Sequence, residues 1–92
     1  MTEKIISIEN MEAIASLFGS FDENIRMIER EYAVSIVSRG SDLKIIGDEE
    51  GVFAAQRAIN SLLNLIAKGE ALTDQNVRYV LSLVNEGNED KL

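Results

Sequence analysis

Residues 19–28 read GSFDENIRMI, and the rest of the chain is best interpreted outward from this stretch. Gly19 ends one apolar helical pattern, and a second, amphipathic pattern begins shortly after it. Ser20 and Glu23 have the spacing of a capping box, in which each side chain binds the backbone N–H of the other residue, and Asp22 is another candidate cap. The stretch therefore predicts a tight turn between two helices.

A strand and a helix precede this turn, and a short helix follows it. The β-branched run KIISIE (4–9) predicts the strand, and Asn10 can cap the helix after it. Apolar residues recur at spacings of three and four in MEAIASLFG (11–19), which predicts a helix that ends at Gly19. The second helix should begin around residues 22–24 and is short and amphipathic.

A hairpin and two further helices complete the chain. Residues 34–48, VSIVSRGSDLKIIGD, hold two β-rich runs around a Gly-Ser-Asp turn, which predicts the hairpin. Asp48 is placed to cap a long third helix that Gly69 closes. Residues 72–87 predict a fourth helix capped by Thr73, which we interpret as an appendage or linker before a polar tail.

The predicted order is strand, helix, helix, strand, strand, helix, with one more helix at the C-terminal end. Three short strands whose helices all lie on one side make a two-layer α/β sandwich, because the sheet and the long helix must bury their apolar faces together. The other face of the sheet should stay more exposed. With 92 residues, the chain is expected to form one such layered unit.

Composition excludes several classes of function. The chain has no histidine and no cysteine, which removes the commonest metal ligands, the usual proton shuttle at neutral pH and the thiol nucleophile. We therefore expect no catalytic residue and no metal site. No apolar stretch is long enough for a membrane span, and the N-terminus does not have the pattern of a secretory signal. A cytoplasmic protein with no membrane partner is the prediction.

The order of the elements resembles that of the KH domain. That family carries a G-x-x-G loop, then two variable residues and an I-K-x-I-like segment. Residues 19–28 match this pattern at four positions, Gly19, Ile25, Arg26 and Ile28. Asp22 stands in place of the second glycine. Residues 43–63 are similar to the last strand and helix of the family, so the resemblance implies a KH-like fold.

The whole chain is also similar to the N-terminal domain of PhoH-like proteins, the phosphate-starvation-inducible ATPase family. This resemblance implies a KH-like domain over residues 1–69, followed by a helix and tail over residues 70–92 that lead to a P-loop ATPase domain linked to RNA metabolism. The chain has no G-x-x-x-x-G-K-[ST] motif. ATP and Mg are therefore expected only in the ATPase domain, and this chain should not be an enzyme by itself.

A KH loop brings its backbone close to the nucleic-acid backbone, and the first amides of the next helix offer hydrogen bonds to it. On this basis the candidate residues for binding single-stranded RNA are Gly19, Ser20, Asn24, Arg26, Arg30, Arg39 and Lys44. Arg26 and Arg30 share a helix face at positions i and i+4. The last two candidates lie on the predicted hairpin.

Acidic residues argue against this binding site. The formal net charge of −7 repels phosphate at long range. Carboxylates in the first turn of the second helix would cap it and repel a phosphate there. We favour a self-capped turn, with Arg26 and Arg30 paired to neighbouring glutamates and Phe21 packed under the turn rather than stacked on a base.

Two functions from different classes stay open. In the first, the domain is an accessory module that presents single-stranded RNA to its own ATPase domain. In the second, its loop does not bind RNA, and the domain is a protein-interaction or oligomerisation module that docks on the ATPase domain or forms a homo-oligomer. Phe53 lies beside the apolar stripe of the third helix and is a weak indication of such an interface.

Overall fold

The computed structural model describes residues 1–91, which form three strands and four α-helices. In chain order these are β1 (Thr2–Ser7), α1 (Met11–Phe18), α2 (Glu23–Tyr32), β2 (Ser35–Arg39), β3 (Asp42–Gly47), α3 (Glu49–Ala67) and α4 (Asp74–Asn85). Short 3-10 turns precede α2, at Ser20–Asp22, and follow α4, at Glu89–Lys91. The predicted order of elements is therefore the observed one.

The three strands form an antiparallel sheet in the order β1-β3-β2. Ile6 lies opposite Leu43, and Ile36 lies opposite Ile45, and these four side chains form one buried face of the sheet. The first strand covers residues 2–7 instead of the predicted 4–9. Backbone hydrogen bonding continues just beyond the end of β1, where the Ile8 N–H donates to the Ser41 carbonyl at 2.7 Å.

The helices cover this buried face and form one hydrophobic core with it. The largest fully buried side chains come from both layers: Leu17, Ile28, Leu43, Ile45, Val52, Ile59, Leu62, Val77 and Val80. The apolar stripe predicted for the third helix comprises Val52, Ala55, Ile59, Leu62 and Ile66, which recur at the spacing that keeps them on one face of α3. The first four are buried in the core, and Ile66 packs against it. The architecture is the two-layer α/β sandwich predicted from the sequence.

The fourth helix is an integral part of this core rather than an appendage. Val77, Val80, Leu81 and Val84 are all buried and join the same cluster as the sheet residues. The Tyr32 hydroxyl at the end of α2 donates to the Leu81 carbonyl at 3.4 Å. Partial burial, mainly through loss of hydration, raises the pKa of Tyr32 to about 12. The predicted role of residues 70–92 as a connection to an ATPase domain stays a prediction.

The polar segment after α4 folds back onto α3. The Arg57 guanidinium donates to both carboxylate oxygens of Glu89, at 2.7 Å for the Nη2–Oε1 bond, and also to the Val84 carbonyl at 3.3 Å. The same guanidinium lies 5.8 Å from the centre of the Phe53 ring. We call Phe53, Arg57, Val84 and Glu89 the C-terminal cluster. These contacts hold the segment that the sequence analysis predicted to be a polar tail.

Gly51 allows the first turn of α3 to pack directly on the end of α2. A Cβ atom at this position would fall well inside van der Waals distance of the Tyr32 carbonyl oxygen. Because that oxygen belongs to the backbone, it has no other rotamer to adopt, and the two helices would have to move apart. The glycine is therefore needed for the close approach that positions α2.

Within residues 1–91, no helix is both long enough and apolar enough to cross a membrane.

Candidate nucleic-acid interface

The turn between α1 and α2 has a backbone that only some residues adopt readily. Gly19 ends α1 with φ +76°, and its N–H donates to the Ala15 carbonyl at 3.0 Å. Phe21 and Asp22 follow with φ of +53° and +59°. Residues other than glycine occupy this left-handed region at a cost of roughly 1–2 kcal/mol each. The Asp22 N–H donates to the Gly19 carbonyl at 3.2 Å and closes the turn.

The predicted capping box is wrong. Asp22 occupies the N-cap position of α2, but its side chain makes no capping hydrogen bond, and no reciprocal bonds join Ser20 and Glu23. An N-cap residue normally has an extended backbone, which brings its side-chain oxygen over the first amides of the helix. The left-handed conformations of Phe21 and Asp22 prevent this geometry. The first turn of α2 therefore carries no side-chain cap.

Arg26 and Arg30 lie exposed on α2, as their spacing predicts. The expected pairing with neighbouring glutamates is wrong: in the part of the chain that the structure describes, neither arginine has a carboxylate within 4 Å. Glu29, which lies between them in sequence, instead accepts a hydrogen bond from the Ile36 N–H at 2.8 Å. That contact ties α2 to the edge strand β2 and leaves both guanidinium groups unpaired.

The two arginines line a groove of about 310 Å³ together with residues of the turn. We call it the loop groove, and its lining residues are Ser20, Phe21, Glu23, Arg26 and Arg30. Its two cations face one lining carboxylate, so the groove is locally basic although the chain as a whole is acidic. Guanidinium groups bind phosphate oxygens with paired hydrogen bonds, which makes such a groove suitable for a phosphodiester chain.

The prediction for Phe21 is wrong. Its side chain is 93% exposed rather than packed under the turn. The hydrophobic staple that was expected depends on an extended residue ahead of the helix, whereas Phe21 has a left-handed backbone. Sequence reasoning therefore missed the aromatic ring as a groove residue, and no sequence signal indicated the backbone conformation that exposes it.

Asn24 is structural rather than available for binding. It is 4% exposed, and its amide nitrogen donates to the Ser16 carbonyl at 3.4 Å near the end of α1. Its side chain also lies against Gly19, where an added Cβ would come within 2.7 Å of the amide nitrogen. Gly19 is thus required both for its positive φ and for this contact. Asn24 fixes the angle between α1 and the turn.

The four basic residues among the predicted RNA-binding candidates are split between two surfaces. Lys44 pairs across the sheet with Ile5 and Val37, on the face opposite the helices, and its ammonium group lies 3.4 Å from a carboxylate oxygen of Glu3. Arg39 ends β2 on this same outer face. The structure therefore keeps two of the four predicted cations in the loop groove and places the other two on the outer face of the sheet.

Comparison with known proteins gives relatives of one kind. No protein-family model matches the chain. It is 30% identical over 90 residues to a PhoH-like protein of Bacillus subtilis, and 37% and 38% identical over 79 residues to PhoH-like proteins of Mycobacterium tuberculosis and Mycobacterium leprae. These matches cover 94%, 85% and 85% of this chain but 28%, 22% and 23% of the relatives. The matching segment is one part of a larger protein, which fits the predicted N-terminal domain.

Two solved structures share the fold. Dim2p from Pyrococcus horikoshii superimposes with a TM-score of 0.70 at 20% identity, over 88% of this chain and 48% of that one. A protein of unknown function from Aeropyrum pernix gives 0.66 at 17% identity, over 97% and 50%. These similarities concern the fold alone. The predicted KH-like fold and the predicted similarity to PhoH-like proteins are both confirmed.

Proposed function

We propose that this chain, a KH-like domain related to the PhoH-like proteins, is the part of such a protein that holds single-stranded RNA. One observation carries the proposal: among residues 1–91, Arg26 and Arg30 have no carboxylate partner in the loop groove, although the chain has 16 acidic and 9 basic residues. Both guanidinium groups, one helical turn apart on one face of α2, are therefore free to bind an external anion. A phosphodiester chain is the partner whose chemistry they fit.

The geometry of the turn supports the same proposal. The first turn of α2 has no side-chain cap and begins beside the groove, although the Gly19 and Asp22 N–H groups already donate within the turn. A KH loop holds the nucleic-acid backbone at such a helix start. Arg26 and Arg30 lie about one helical turn apart, which separates them by roughly 6 Å along the axis of α2. This distance is close to the spacing of successive phosphates in an extended strand. RNA would then run along α2 from the turn toward β2.

The proposal assigns binding, and no catalysis, to this domain. ATP and Mg would belong to the ATPase domain of the complete PhoH-like protein, to which the domain would present RNA. The cytoplasmic location expected from the sequence also stays a prediction. Since the chain spans about a quarter of the length of its relatives, the activity of the complete protein is a separate question from RNA binding by the loop groove.

The test compares two pairs of exposed cations, one in the loop groove and one outside it. We expect Arg26→Ala with Arg30→Ala to weaken binding of a fluorescein-labelled single-stranded RNA octamer about tenfold or more at low salt. Each lost phosphate contact should also reduce the slope of log K against log salt by about 0.7. Arg78→Ala with Lys68→Ala is the control, because it also removes two exposed cations but lies outside the loop groove, and Arg78 pairs with Asp74 at 2.9 Å on α4. Equal losses in both variants would mean that only the net charge matters.

A second candidate, the interaction module, is favoured by the outer face of the sheet. Ile5 and Val37 are 62% and 39% exposed on either side of Lys44, so two apolar side chains lie exposed on this face. The proposed occupant is the remaining domain of the PhoH-like protein. Ile5→Thr with Val37→Thr, which changes no charge, should then weaken its association with a separately produced ATPase domain in sedimentation velocity, without altering RNA binding. No association of the unaltered domain would exclude this candidate.

A further inference from the structure

The Phe21 side chain is exposed to water, which is unfavourable for an apolar ring. An aromatic ring in water forgoes the stabilisation that burial of its apolar surface would bring. Of the other two phenylalanines, Phe18 packs against the core, and Phe53 is 59% exposed beneath the Arg57 guanidinium. Phe21, at 93%, has neither kind of cover.

The backbone that carries the Phe21 ring is held by contacts within the turn. The turn on which it lies is closed by the hydrogen bond from the Asp22 N–H to the Gly19 carbonyl, and Gly19 itself is fixed against Asn24. Phe21 therefore projects from a short ordered turn into the loop groove rather than from a long flexible segment. Its ring, Arg26 and Arg30 line the same groove.

The neighbours of Phe21 indicate which partner fits it. A protein partner buries an apolar patch, but the other residues of the loop groove are polar or charged: Ser20, Glu23, Arg26 and Arg30. A single ring beside two free guanidinium groups fits a nucleotide better, because a base supplies an aromatic face and its phosphates supply the negative charge. Free phosphate would bind the arginines but would make no use of the ring.

We propose that Phe21 stacks on one unpaired base of the bound RNA while Arg26 and Arg30 hold the adjoining phosphates. This inference rests on the proposed function and adds a residue to it. It requires a single strand, since a base inside a duplex does not present its face to a side chain. It also predicts tolerance of sequence, because every base has an aromatic face.

The first experiment separates stacking from phosphate binding. One probe is a labelled single-stranded RNA octamer, and the other is the same octamer with its four central nucleotides made abasic. The unaltered domain should bind the abasic probe at least about fivefold more weakly, whereas Phe21→Ala should bind both probes equally. Phe53→Ala is the matched control, since it removes an exposed aromatic outside the loop groove, and it should retain the discrimination.

A second experiment uses the absence of tryptophan from the sequence. Phe21→Trp introduces a single reporter whose fluorescence should fall when the octamer binds and change little with the abasic octamer. Phe53→Trp should respond to neither. Far-UV circular dichroism of each variant establishes that it is folded, and the Trp variant keeps the test valid if the alanine variant is not.

The outcomes distinguish the two proposals. If the octamer binds and Phe21→Ala binds it as tightly as before, the stacking proposal is wrong and the RNA-binding proposal stands. If the unaltered domain binds neither probe at low salt, both are wrong. A Phe21→Trp signal that responds to an ATPase domain of a PhoH-like protein, but not to RNA, would overturn stacking and identify Phe21 as a protein contact.

Discussion

The C-terminal cluster and the loop groove use arginine in opposite ways. In the cluster, Arg57 donates to both oxygens of Glu89 and to the Val84 carbonyl, and lies near the Phe53 ring. In the loop groove, Arg26 and Arg30 have no carboxylate within 4 Å among the described residues. The chain therefore pairs an arginine where a segment must be fixed to the fold and leaves two unpaired where a ligand could bind.

This difference also shows that the net charge of the chain is a poor guide to nucleic-acid binding. A formal charge of −7 repels nucleic acid at a distance, but the acidic residues are spread over the surface, and few lie in the loop groove. At physiological ionic strength, interactions beyond roughly 8 Å are largely screened. The local arrangement of charges therefore decides binding at short range, whereas the net charge mainly affects the rate of encounter.

The largest expected effect is on stability, from a substitution where two helices pack closely rather than in the loop groove. Gly51→Ala would place a Cβ atom against the Tyr32 carbonyl oxygen, so that α2 and α3 must separate. We expect a loss of about 2–3 kcal/mol in the free energy of unfolding, as overpacked cores show. Urea titration measures it, with Glu50→Ala, an exposed neighbour in the same helical turn, as the control. A loss below about 0.5 kcal/mol would contradict the proposed close packing.

Substitution of Asn24 should have a smaller effect on stability, and it tests whether this residue of the turn has a structural or a binding role. Asn24→Ala removes the donor to the Ser16 carbonyl and a contact with Gly19, and should cost about 1–2 kcal/mol. RNA affinity, measured where the variant is fully folded, should stay within about twofold of the unaltered domain. A large loss of affinity with unchanged stability would instead restore Asn24 as a binding residue, as the sequence alone suggested.

The elements were predictable because apolar periodicity is a local property of the sequence. The stripe of α3 and the alternation of the hairpin placed each element within about two residues of its observed position. Asn10 and Thr73 were also predicted correctly as caps, because both have the extended backbone that a capping side chain needs. Asp48 stands at the N-cap of α3 with an extended backbone, yet its side chain makes no capping bond.

The candidate site was less predictable because it depends on backbone conformation and tertiary packing. Nothing in the sequence distinguishes a left-handed Phe21 from an extended one, and that difference decides both the cap and the exposure of the ring. The burial of Asn24 depends on the angle between α1 and α2. Lys44 was different: its alternation with Leu43 and Ile45 already implied that it faces away from the core.

Replacing the acidic residues of the turn should strengthen RNA binding. Asp22→Gly with Glu23→Lys would complete the G-x-x-G pattern, suit the left-handed backbone of Asp22 and remove two carboxylates from the start of α2. We expect RNA affinity to rise about threefold to tenfold at low salt. Glu86→Gln with Glu70→Lys, both exposed on other surfaces, carries the same change in charge. An equal gain in this control would show a general effect of charge.

The smallest effect tests the pairing in the C-terminal cluster by pH. The hydrogen bonds from Arg57 hold the pKa of Glu89 below its ordinary value of 4.5. A carboxyl whose pKa is lower in the folded state than in the unfolded one stabilises the fold above the unfolded value, and this contribution disappears as pH falls through the folded value. Glu89→Gln should therefore lower the Tm slightly at pH 7, and the difference should shrink as the pH falls below 4.5. Asp90→Asn is the control, because Asp90 is an exposed carboxylate next to Glu89. Since Arg26 and Arg30 have no carboxylate within 4 Å among residues 1–91, Arg26→Ala should leave the Tm unchanged across this whole range, and a lower Tm would mean that the loop groove is not free.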